Sequence, residues 1–495
     1  MNYVGISCGF HDAALSVVDD RGNILYAGHS ERYSKQKHDK NLSDKIVLDA
    51  LRYHHEKYEI HYYERPLVKA IRQLRAGQKP GPLKLKNIIG KDVLNVLPRR
   101  VGRIHTHNHH LTHAAAGFQT SPFKDATVVV IDAIGELDTI SIWDATYDAN
   151  HRAVYKKIWG KTYPDSIGLL YSAMTKRVEL RPLDEEYILM GMAAYGENLY
   201  SKDIQKQLIY NAEELEFNLN LHTGVPDNFL GTDAGFMDIA ASTQAVTETL
   251  IKNVMQKARS LGKSKNLVYG GGVALNCLAN RLLGSYFDKI WIMPNPGDAG
   301  NSLGAAALGY GKRLVWKDAF LGYKISGAYP IVPLLKELHT NKIVGVASGR
   351  AEFGPRALGN RSLLADPRGP DIKDKVNEIK RRQQFRPFAP IILEEHVNEY
   401  FEMPVNWTDS RYMQVIAKCK KPDLFPAIVH ADNTSRVQTV PKDDSGIRKL
   451  LEIWYQETGC PMLLNTSLNI RGEPMVNDRN DAIRFEKLYG IKVCS

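Results

Sequence analysis

The chain has 495 residues, of which 43% are apolar, and a formal net charge of +10. This length and composition predict large buried cores and two or more domains. The sequence offers no apolar stretch long enough to span a bilayer and no secretory leader, and its five cysteines lack CxxC spacing. We therefore expect a cytoplasmic protein and neither secretion, membrane insertion nor a disulfide scaffold.

The first predicted element is a pair of strands within residues 4–18, joined by a small-residue turn that carries His11 and Asp12. A second glycine turn, at 132–136, follows an apolar run. Strand–turn–strand loops of this kind bind phosphates between related subdomains in the actin, sugar kinase and Hsp70 superfamily. The alternation of strand-like and helix-like stretches along the chain indicates an α/β fold.

Most of the positive charge falls in one segment, residues 52–103, which has thirteen Lys or Arg against four Asp or Glu, a net charge of +9. Part of this segment predicts an amphipathic helix. Its apolar residues Leu67, Ile71 and Leu74 share one face, whereas Lys69, Arg72 and Arg75 lie off that face. The segment is therefore either a solvated helical face or a positive approach to a site that binds phosphates or nucleic acid.

Four potential metal ligands occur farther along the chain. His109 and His113 are spaced to share one face of a helix, and Asp132 follows the apolar run 126–131, which predicts a strand that delivers the carboxylate at its end. Asp298 lies in a glycine turn. Two imidazoles and two carboxylates suit Fe(II), Mn(II) or Zn(II). A histidine-rich stretch such as 105–113 is also typical of a solvated turn.

A third glycine loop, at 270–272, follows a predicted strand that begins at residue 267 and precedes a helix start. Glycines at such a position let a nucleotide lie against bare backbone, with helix N-terminal amides facing its anionic groups. A purely structural tight turn explains one loop of this kind, but three in this order favour nucleotide binding.

Eleven motifs in one order carry a family resemblance. In the first 300 residues they are His11-Asp12, 31–38 (ERYSKQKH), 109–114 (HHLTHA), Asp132, 190–196 (MGMAAYG), the loop 270–272 and 297–300 (GDAG); four longer motifs follow at 350–362, 380–390, 430–438 and 464–474. This arrangement resembles the O-carbamoyltransferases of the NodU/CmcH/TobZ family, and the resemblance covers most of the chain.

The resemblance implies an α/β protein of two domains. Residues 1–315 would form a duplicated actin/Hsp70-like domain, similar to Kae1, that holds the metal and carries out carbamoyl transfer. Residues 316–495 would form a YrdC-like α/β domain that makes a carbamoyl adenylate. The resemblance also suggests a homodimer.

The implied reaction uses ATP, with Mg, and carbamoyl phosphate. The adenylate would be bound in the second domain by Arg356, Lys380, Arg386, Arg436, Asn465 and Ser467. Its carbamoyl group would pass to a hydroxyl of a small molecule, sugar or nucleotide in the first domain, where a metal, expected to be Fe(II), polarises the carbonyl. Nucleotide contacts in the first domain are expected from Gly135, Glu186, Gly271, Gly272 and Asn276.

His11 is the expected general base, because its place in the first loop suits it to take the acceptor's proton, and Lys37 is a further catalytic candidate. A His11 satisfied by the turn backbone is the structural alternative. A single arginine in the carboxy-terminal motifs would ordinarily be a surface ion pair, but five cations flanked by Gly, Pro and Phe, with Arg361 among them, indicate a rigid pocket.

Four positions depart from the family pattern. Ala133 replaces a glycine, Ile188 a lysine and Gln383 a glutamate, while Asn433 stands at a position that is commonly glycine and tolerates left-handed backbone. Two alternatives stay open. The resemblance to Kae1 and YrdC, which act as separate proteins in tRNA threonylcarbamoylation, implies that reaction as one, and the basic segment with the departures at Ala133 and Ile188 leaves a catalytically silent nucleotide- or nucleic-acid-binding protein as the other. The basic segment suggests a phosphorylated acceptor, such as a hydroxymethylated nucleotide or DNA base.

Overall fold

The computed structural model describes residues 1–51, 57–97 and 102–495, so residues 52–56 and 98–101 of the basic segment lie outside the described residues. The chain forms two units, the first from Met1–Ser30 and His38–Lys317 and the second from Glu31–Lys37 and Asp318–Ser495. The predicted domain boundary, between 315 and 316, lies two residues before the observed one, and the membership of Glu31–Lys37 in the second unit was not predicted.

The first unit contains two five-stranded sheets of the same topology. In each sheet, three consecutive strands form an antiparallel meander, a later strand pairs in parallel with the first strand of that meander, and a second later strand pairs in parallel with the added one. The strand orders are therefore β3-β2-β1-β4-β5 and β12-β11-β6-β7-β8. The strands are β1 (Asn2–Ser7), β2 (Ala14–Val18), β3 (Ile24–His29), β4 (Tyr58–Tyr62), β5 (His105–Thr106), β6 (Asp125–Gly135), β7 (Asp138–Tyr147), β8 (Ala153–Thr162), β11 (Asn266–Gly270) and β12 (Lys289–Trp291), with a hairpin of β9 (Ile209–Asn211) and β10 (Glu216–Phe217). This repetition indicates a duplicated α/β architecture.

The described helices of the first unit are α2 (Asp44–Leu51), α3 (Pro66–Arg75), α4 (Leu85–Ile89), α5 (Lys91–Asn95), α6 (His109–Thr120), α7 (Ile167–Arg177), α8 (Glu186–Met192), α9 (Ser201–Leu208), α10 (Phe236–Leu261), α11 (Cys277–Asn280) and α12 (Asn301–Tyr310). Helices α6 and α12 are almost wholly buried and rich in small residues. A Cβ on Gly304 of α12 would lie 1.9 Å from the carbonyl oxygen of Thr112 in α6, so only glycine allows this close approach. The two helices thereby bring their N-terminal turns together.

Helix α3 forms within the basic segment as predicted, and its apolar face is the more exposed one. Leu67 and Leu74 are 62% and 61% exposed, whereas Arg72 is buried. Arg72 donates from Nε to the carbonyl oxygen of Glu136 and from Nη1 to Gln78 Oε1. The apolar face is exposed because two of the helix cations, Arg72 and Lys69, turn inward to buried acceptors of the first unit.

The second unit is built on a six-stranded mixed sheet of order β21-β17-β22-β16-β14-β23. Its described elements are α1 (Glu31–Ser34), β13 (Phe320–Ile325), α13 (Ile331–Asn341), β14 (Ile343–Ala347), β15 (Gly349–Glu352), β16 (Arg361–Ala365), α14 (Ile372–Ile379), β17 (Ala389–Leu393), α15 (Val397–Tyr400), β18 (Phe401–Glu402), β19 (Ile416–Cys419), β20 (Thr434–Arg436), β21 (Gln438–Val440), α16 (Gly446–Thr458), β22 (Met462–Ser467), α17 (Arg479–Tyr489) and β23 (Val493–Cys494). Apolar clusters cover both faces of this sheet.

Across the described parts of the chain, no helix has the length and apolar character needed to cross a bilayer. All five cysteines are buried and unpaired with one another.

Candidate functional site

The structure brings together the four side chains that the sequence analysis singled out as metal ligands. His109 Nε2 lies 3.2 Å from Asp132 Oδ2 and 3.3 Å from Asp298 Oδ1, and the Nε2 atoms of His109 and His113 are 3.1 Å apart. His113 Nε2 is 3.6 Å from Asp132 Oδ2 and 3.5 Å from Asp298 Oδ1. All four side chains are buried.

Each of these side chains is placed by a local feature of the sequence. Helix α6 begins at His109 because the Asn108 side chain accepts a hydrogen bond from the Leu111 amide, which puts His109 and His113 on one face. Asp298 opens a single 3₁₀ turn before α12. Asp132 does not end its strand as expected, since β6 continues to Gly135, but regular pairing with β7 breaks after Ile131 and frees the Asp132 carboxylate.

The electrostatics of this cluster favour positive charge between the two carboxylates. Burial alone would raise the pKa of Asp132 and Asp298, but the neighbouring His109 and His113 hold both below their usual range. Burial would likewise lower the pKa of His109, whereas the two carboxylates raise it well above its usual value. A cluster of two carboxylates and two neutral imidazoles has a net charge of −2, which matches one divalent cation.

The distances also fit a metal ion. Four N and O ligands at about 2.0–2.2 Å from one tetrahedral ion are about 3.3–3.6 Å apart, close to the observed separations. Asn301 lies beside the imidazoles, with Nδ2 3.0 Å from His113 Nε2, and its Oδ1 is buried without a hydrogen-bond partner among the described residues. Since a half-turn of the amide exchanges Nδ2 and Oδ1, Asn301 offers a further oxygen donor at this position.

Three glycines predicted to contact a nucleotide pack against this cluster. A Cβ on Gly135 would lie 2.5 Å from the His109 ring, so glycine makes room for the imidazole. Gly271 has φ +88° and lies against the carbonyl of Ile131, and the Gly272 amide is 3.4 Å from Asp132 Oδ1. In this structure the glycines therefore shape the cluster of His109, His113, Asp132 and Asp298.

His11 lies at the edge of the same cluster and is held by a chain of side chains. Its Nδ1 is 2.9 Å from Asp12 Oδ2 and its Nε2 is 3.7 Å from Asp298 Oδ2. The other Asp12 oxygen is 2.8 Å from His38 Nδ1, and His38 Nε2 is 2.8 Å from Asp184. Burial would lower the pKa of His11, but the hydrogen bond to Asp12 and the charge of Asp298 raise it to about 9.

The remaining first-unit candidates have structural contacts. Glu186 accepts hydrogen bonds from the Ser172 hydroxyl at 2.7 Å and from the Leu183 amide at 2.6 Å. Asn276 caps α11 and exchanges two amide hydrogen bonds with Gln244 of α10. These contacts hold the turn before α8 and the loop after β11 in place.

In the second unit, strand β22 places two candidates, Asn465 and Ser467, near the centre of the six-stranded sheet. Lys380, at the end of α14, is buried and its Nζ lies 3.2 Å from Ser467 Oγ, 2.8 Å from the Asn469 carbonyl and 3.1 Å from Asn469 Oδ1. These partners are neutral oxygens. Burial, with the charges of Arg382 and Arg386, lowers the pKa of Lys380 well below its usual range.

Asn465 donates hydrogen bonds to two residues that lie close in sequence to arginine candidates. Its Nδ2 donates to the carbonyl of Ala357, next to Arg356, and to Gln438 Oε1, two residues after Arg436. Asn465 Oδ1 and Arg436 Nε are buried and have no hydrogen-bond partner within the described part of the chain. Unsatisfied buried polar atoms of this kind are typical of a site that binds a polar ligand.

The structure also places the other residues that the sequence singled out. Arg361 is fully buried and donates to five backbone carbonyls, so it is a structural centre of the second unit and its inclusion in a ligand pocket was wrong. Asn433 has φ +61°, which agrees with its expected tolerance of left-handed backbone. Lys37 belongs to the second unit and His11 to the first.

Sequence reasoning missed several polar residues around the cluster, namely Glu64, Asn301, His38 and Asp184. Asn301 directly follows the glycine turn of Asp298, and Glu64 is one of only four acids in the basic segment. Those were the available signals, but neither reveals a contact with His109 or His113.

The chain matches two family models. The model described as the carbamoyltransferase N-terminus matches residues 84–307, and the model described as the carbamoyltransferase C-terminus matches residues 335–494. Together the matches cover more than half of the chain.

Among curated proteins, the uncharacterized protein sll1178 of Synechocystis is 33% identical, covering 97% of this chain and 93% of its own. The nodulation protein NolNO of Sinorhizobium fredii is 28% identical over 96% of this chain and 76% of its own. Among solved structures, the activator of 2-hydroxyisocaproyl-CoA dehydratase from Clostridium difficile with bound ADPNP aligns with 63% of this chain and 94% of its own, at 14% identity and a TM-score of 0.35. A TM-score this low adds nothing to the assignment.

Proposed function

The chain belongs to the carbamoyltransferase family and is a carbamoyltransferase, and from that premise we propose that it activates carbamoyl phosphate with ATP and transfers the carbamoyl group to a hydroxyl. The observation that carries the proposal is the convergence of two imidazoles and two carboxylates in the first unit, beside His11.

In the proposed first step, carbamoyl phosphate loses its phosphate to water, and the resulting carbamate attacks the α-phosphorus of ATP. Pyrophosphate leaves and carbamoyl adenylate forms. Lys380, Arg386 and Arg436 neutralise the phosphate charges, with Arg356 beside them. Asn465, whose Oδ1 is buried and has no partner among the described residues, accepts a hydrogen bond from the carbamoyl NH₂ group, while Ser467 positions Lys380.

In the proposed second step, the acceptor oxygen bonds to the carbamoyl carbon, the bond to the AMP oxygen breaks, and AMP leaves. His113, His109, Asp132 and Asp298 would hold a divalent metal, with Fe(II) as our first choice, that supplies Lewis acidity when bound. His11 takes the acceptor's proton at Nε2, because its Nδ1 is engaged by Asp12 and because a bound divalent ion would neutralise the Asp298 charge that raises its pKa. Lys37 is proposed as a further catalytic group, and Gly135, Glu186, Gly271, Gly272 and Asn276 as the surroundings of the bound nucleotide.

The test is release of pyrophosphate and AMP from ATP, with and without carbamoyl phosphate, together with recovery of labelled carbamoyl adenylate. Arg386→Ala should abolish carbamoyl-phosphate-dependent pyrophosphate release, whereas His109→Ala should still form the adenylate. Arg484→Ala, whose side chain is 62% exposed in the same unit, is the matched control and should retain the wild-type rate.

No dependence on carbamoyl phosphate in the wild type would overturn this proposal. Turnover that requires threonine and bicarbonate in its place would instead support threonylcarbamoyl chemistry. Binding of ATP with no turnover under any of these conditions would support a silent nucleotide-binding protein.

A further inference from the structure

Glu64 is a buried carboxylate next to the proposed metal cluster, and the reaction proposed above does not use it. It lies two residues after β4, in a stretch that is fixed to helix α6. The Thr112 hydroxyl is 3.3 Å from the Tyr63 carbonyl, and the Tyr63 and His109 rings are 5.2 Å apart. Glu64 is therefore held against the turn of α6 that carries His109.

Within the described residues, the His109 Nδ1 atom is buried and lacks a hydrogen-bond partner. Its Nε2 points at the cluster, 3.2 Å from Asp132. Glu64 Oε2 lies 4.0 Å from Nδ1, just beyond hydrogen-bond distance. A buried N–H without an acceptor costs free energy, so a small rotation of either side chain that closes this gap is favourable.

The other oxygen of Glu64 is already engaged. Oε1 is 2.8 Å from Lys69 Nζ and 3.5 Å from the Tyr62 hydroxyl. Lys69, one of the cations of helix α3, thus balances the Glu64 charge, while Asp132 and Asp298 leave the cluster with the charge of −2 that a divalent ion neutralises.

From these contacts we infer that Glu64, held by Lys69, is a positioning residue that accepts a hydrogen bond from His109 Nδ1–H and so fixes His109 with its Nε2 lone pair toward the metal. This inference rests on the proposed metal site. Acceptors of this kind on the far nitrogen of a metal-bound histidine fix its tautomer and orientation, and their loss typically weakens metal affinity by about 10–100-fold.

The experiment is a competition titration of metal-free protein with Zn²⁺ and with Mn²⁺ against a chromogenic chelator, which requires neither substrate nor acceptor. In Glu64→Gln the amide oxygen stays on the Lys69 ammonium, so the amide NH₂ group, which is a donor, faces His109 Nδ1–H in place of an acceptor. The Kd for metal should therefore rise by about 10–100-fold. Glu59→Gln is the matched control, because Glu59 lies in the preceding strand β4 with its carboxylate 3.6 Å from a different imidazole, that of His61. Its Kd should stay within about twofold of the wild-type value.

Lys69→Met provides a second variant, which leaves the carboxylate in place and removes its counter-charge. We expect its Kd to rise by less than that of Glu64→Gln, about 3–10-fold. If Glu64→Gln does not fold, this variant decides the question, and an unchanged Kd for Lys69→Met would overturn the inference.

If the wild type binds metal and Glu64→Gln binds it with the same Kd, the positioning role is overturned, but the proposed function still stands. Failure of the wild type to bind either metal or Fe²⁺ would overturn the metal site and this inference together. The metal affinity therefore separates the two proposals without an activity measurement.

Discussion

The candidate site of the first unit contains buried carboxylates beside two imidazoles, whereas that of the second unit contains basic side chains beside neutral oxygens. Asp132 and Asp298 face two imidazoles, with an excess of negative charge. Lys380 contacts hydroxyl, amide and carbonyl oxygens, and the charges of Arg382 and Arg386 act on it. One unit is thus prepared for a cation and the other for an anion, and the net charge of +10 reveals neither.

The strongest test of this contrast is Asp298→Asn, which leaves the shape of the first site and removes half of its negative charge. We expect metal affinity to fall by about 1,000-fold or more, because a hard divalent ion loses a charged ligand. Carbamoyl-phosphate-dependent pyrophosphate release should stay at the wild-type rate. Asp288→Asn, at a carboxylate that is 66% exposed, is the control for metal binding.

The corresponding change in the second unit is Lys380→Met, which removes a cation from a buried position. We expect pyrophosphate release to fall by about 100-fold, because the variant lacks an amine that would gain its proton once bound phosphates offset the charges of Arg382 and Arg386. Metal affinity should not change. Lys375→Met removes an exposed cation from the same helix and should retain activity, and a similar loss in both variants would contradict the contrast.

A smaller effect is expected for Asp12→Asn, which weakens the orientation of His11. The ratio of AMP released to pyrophosphate released should fall by about 10-fold, with the adenylate accumulating, since only the transfer step depends on this histidine. The assay uses hydroxyl compounds from an acceptor screen, or water where none is found. Equal slowing of both products would show that Asp12 acts on the fold rather than on transfer.

The two units should also differ in acid sensitivity, because thirteen of the sixteen histidines lie in the first unit. Burial and neighbouring imidazoles lower the pKa of His61 to about 3 and that of His107 to about 4. Between pH 6.5 and about 4 the unfolded chain therefore binds more protons at these positions, and the stability that is present above pH 6.5 is lost as the pH falls.

His61→Gln should reduce that loss by about 2 kcal/mol, measured as the free energy of unfolding between pH 7 and pH 4.5 in the presence of a chelator. His339→Gln, in the second unit and 45% exposed, is the control for the effect of the same substitution on stability at pH 7. If His61→Gln loses as much free energy of unfolding between pH 7 and pH 4.5 as the wild type, His61 is not the source of the acid sensitivity.

Local patterns predicted the elements of the first site well. The four-residue spacing of His109 and His113 predicted helix α6, and the apolar run before Asp132 predicted β6. The position of Asp132 within the strand could not be foreseen, because it depends on an irregular register with β7, a long-range pairing. The contacts of Asn301 and Glu64 also depend on packing between distant segments.

Helix α3 illustrates why the remainder was harder to predict. Its apolar and basic faces were assigned correctly, but the rule that apolar faces turn inward failed. Arg72 and Lys69 find buried acceptors in Glu136 and Glu64, and Leu67 and Leu74 are left exposed. Periodicity identifies the faces of a helix, whereas the partners available in the rest of the fold decide which face is buried.

The inclusion of Glu31–Lys37 in the second unit has a consequence for synthesis of the chain. Arg32 donates to the carbonyl of Gly354 and Lys35 pairs with Asp481, so this segment completes a structure whose other residues, Asp318–Ser495, are synthesised after the whole of the first unit. Domains generally fold as units in the order of their translation. Here Glu31–Lys37 must wait until Asp318–Ser495 has been synthesised before its own contacts can form, so a fragment that starts at Asp318 would lack a piece of its own structure.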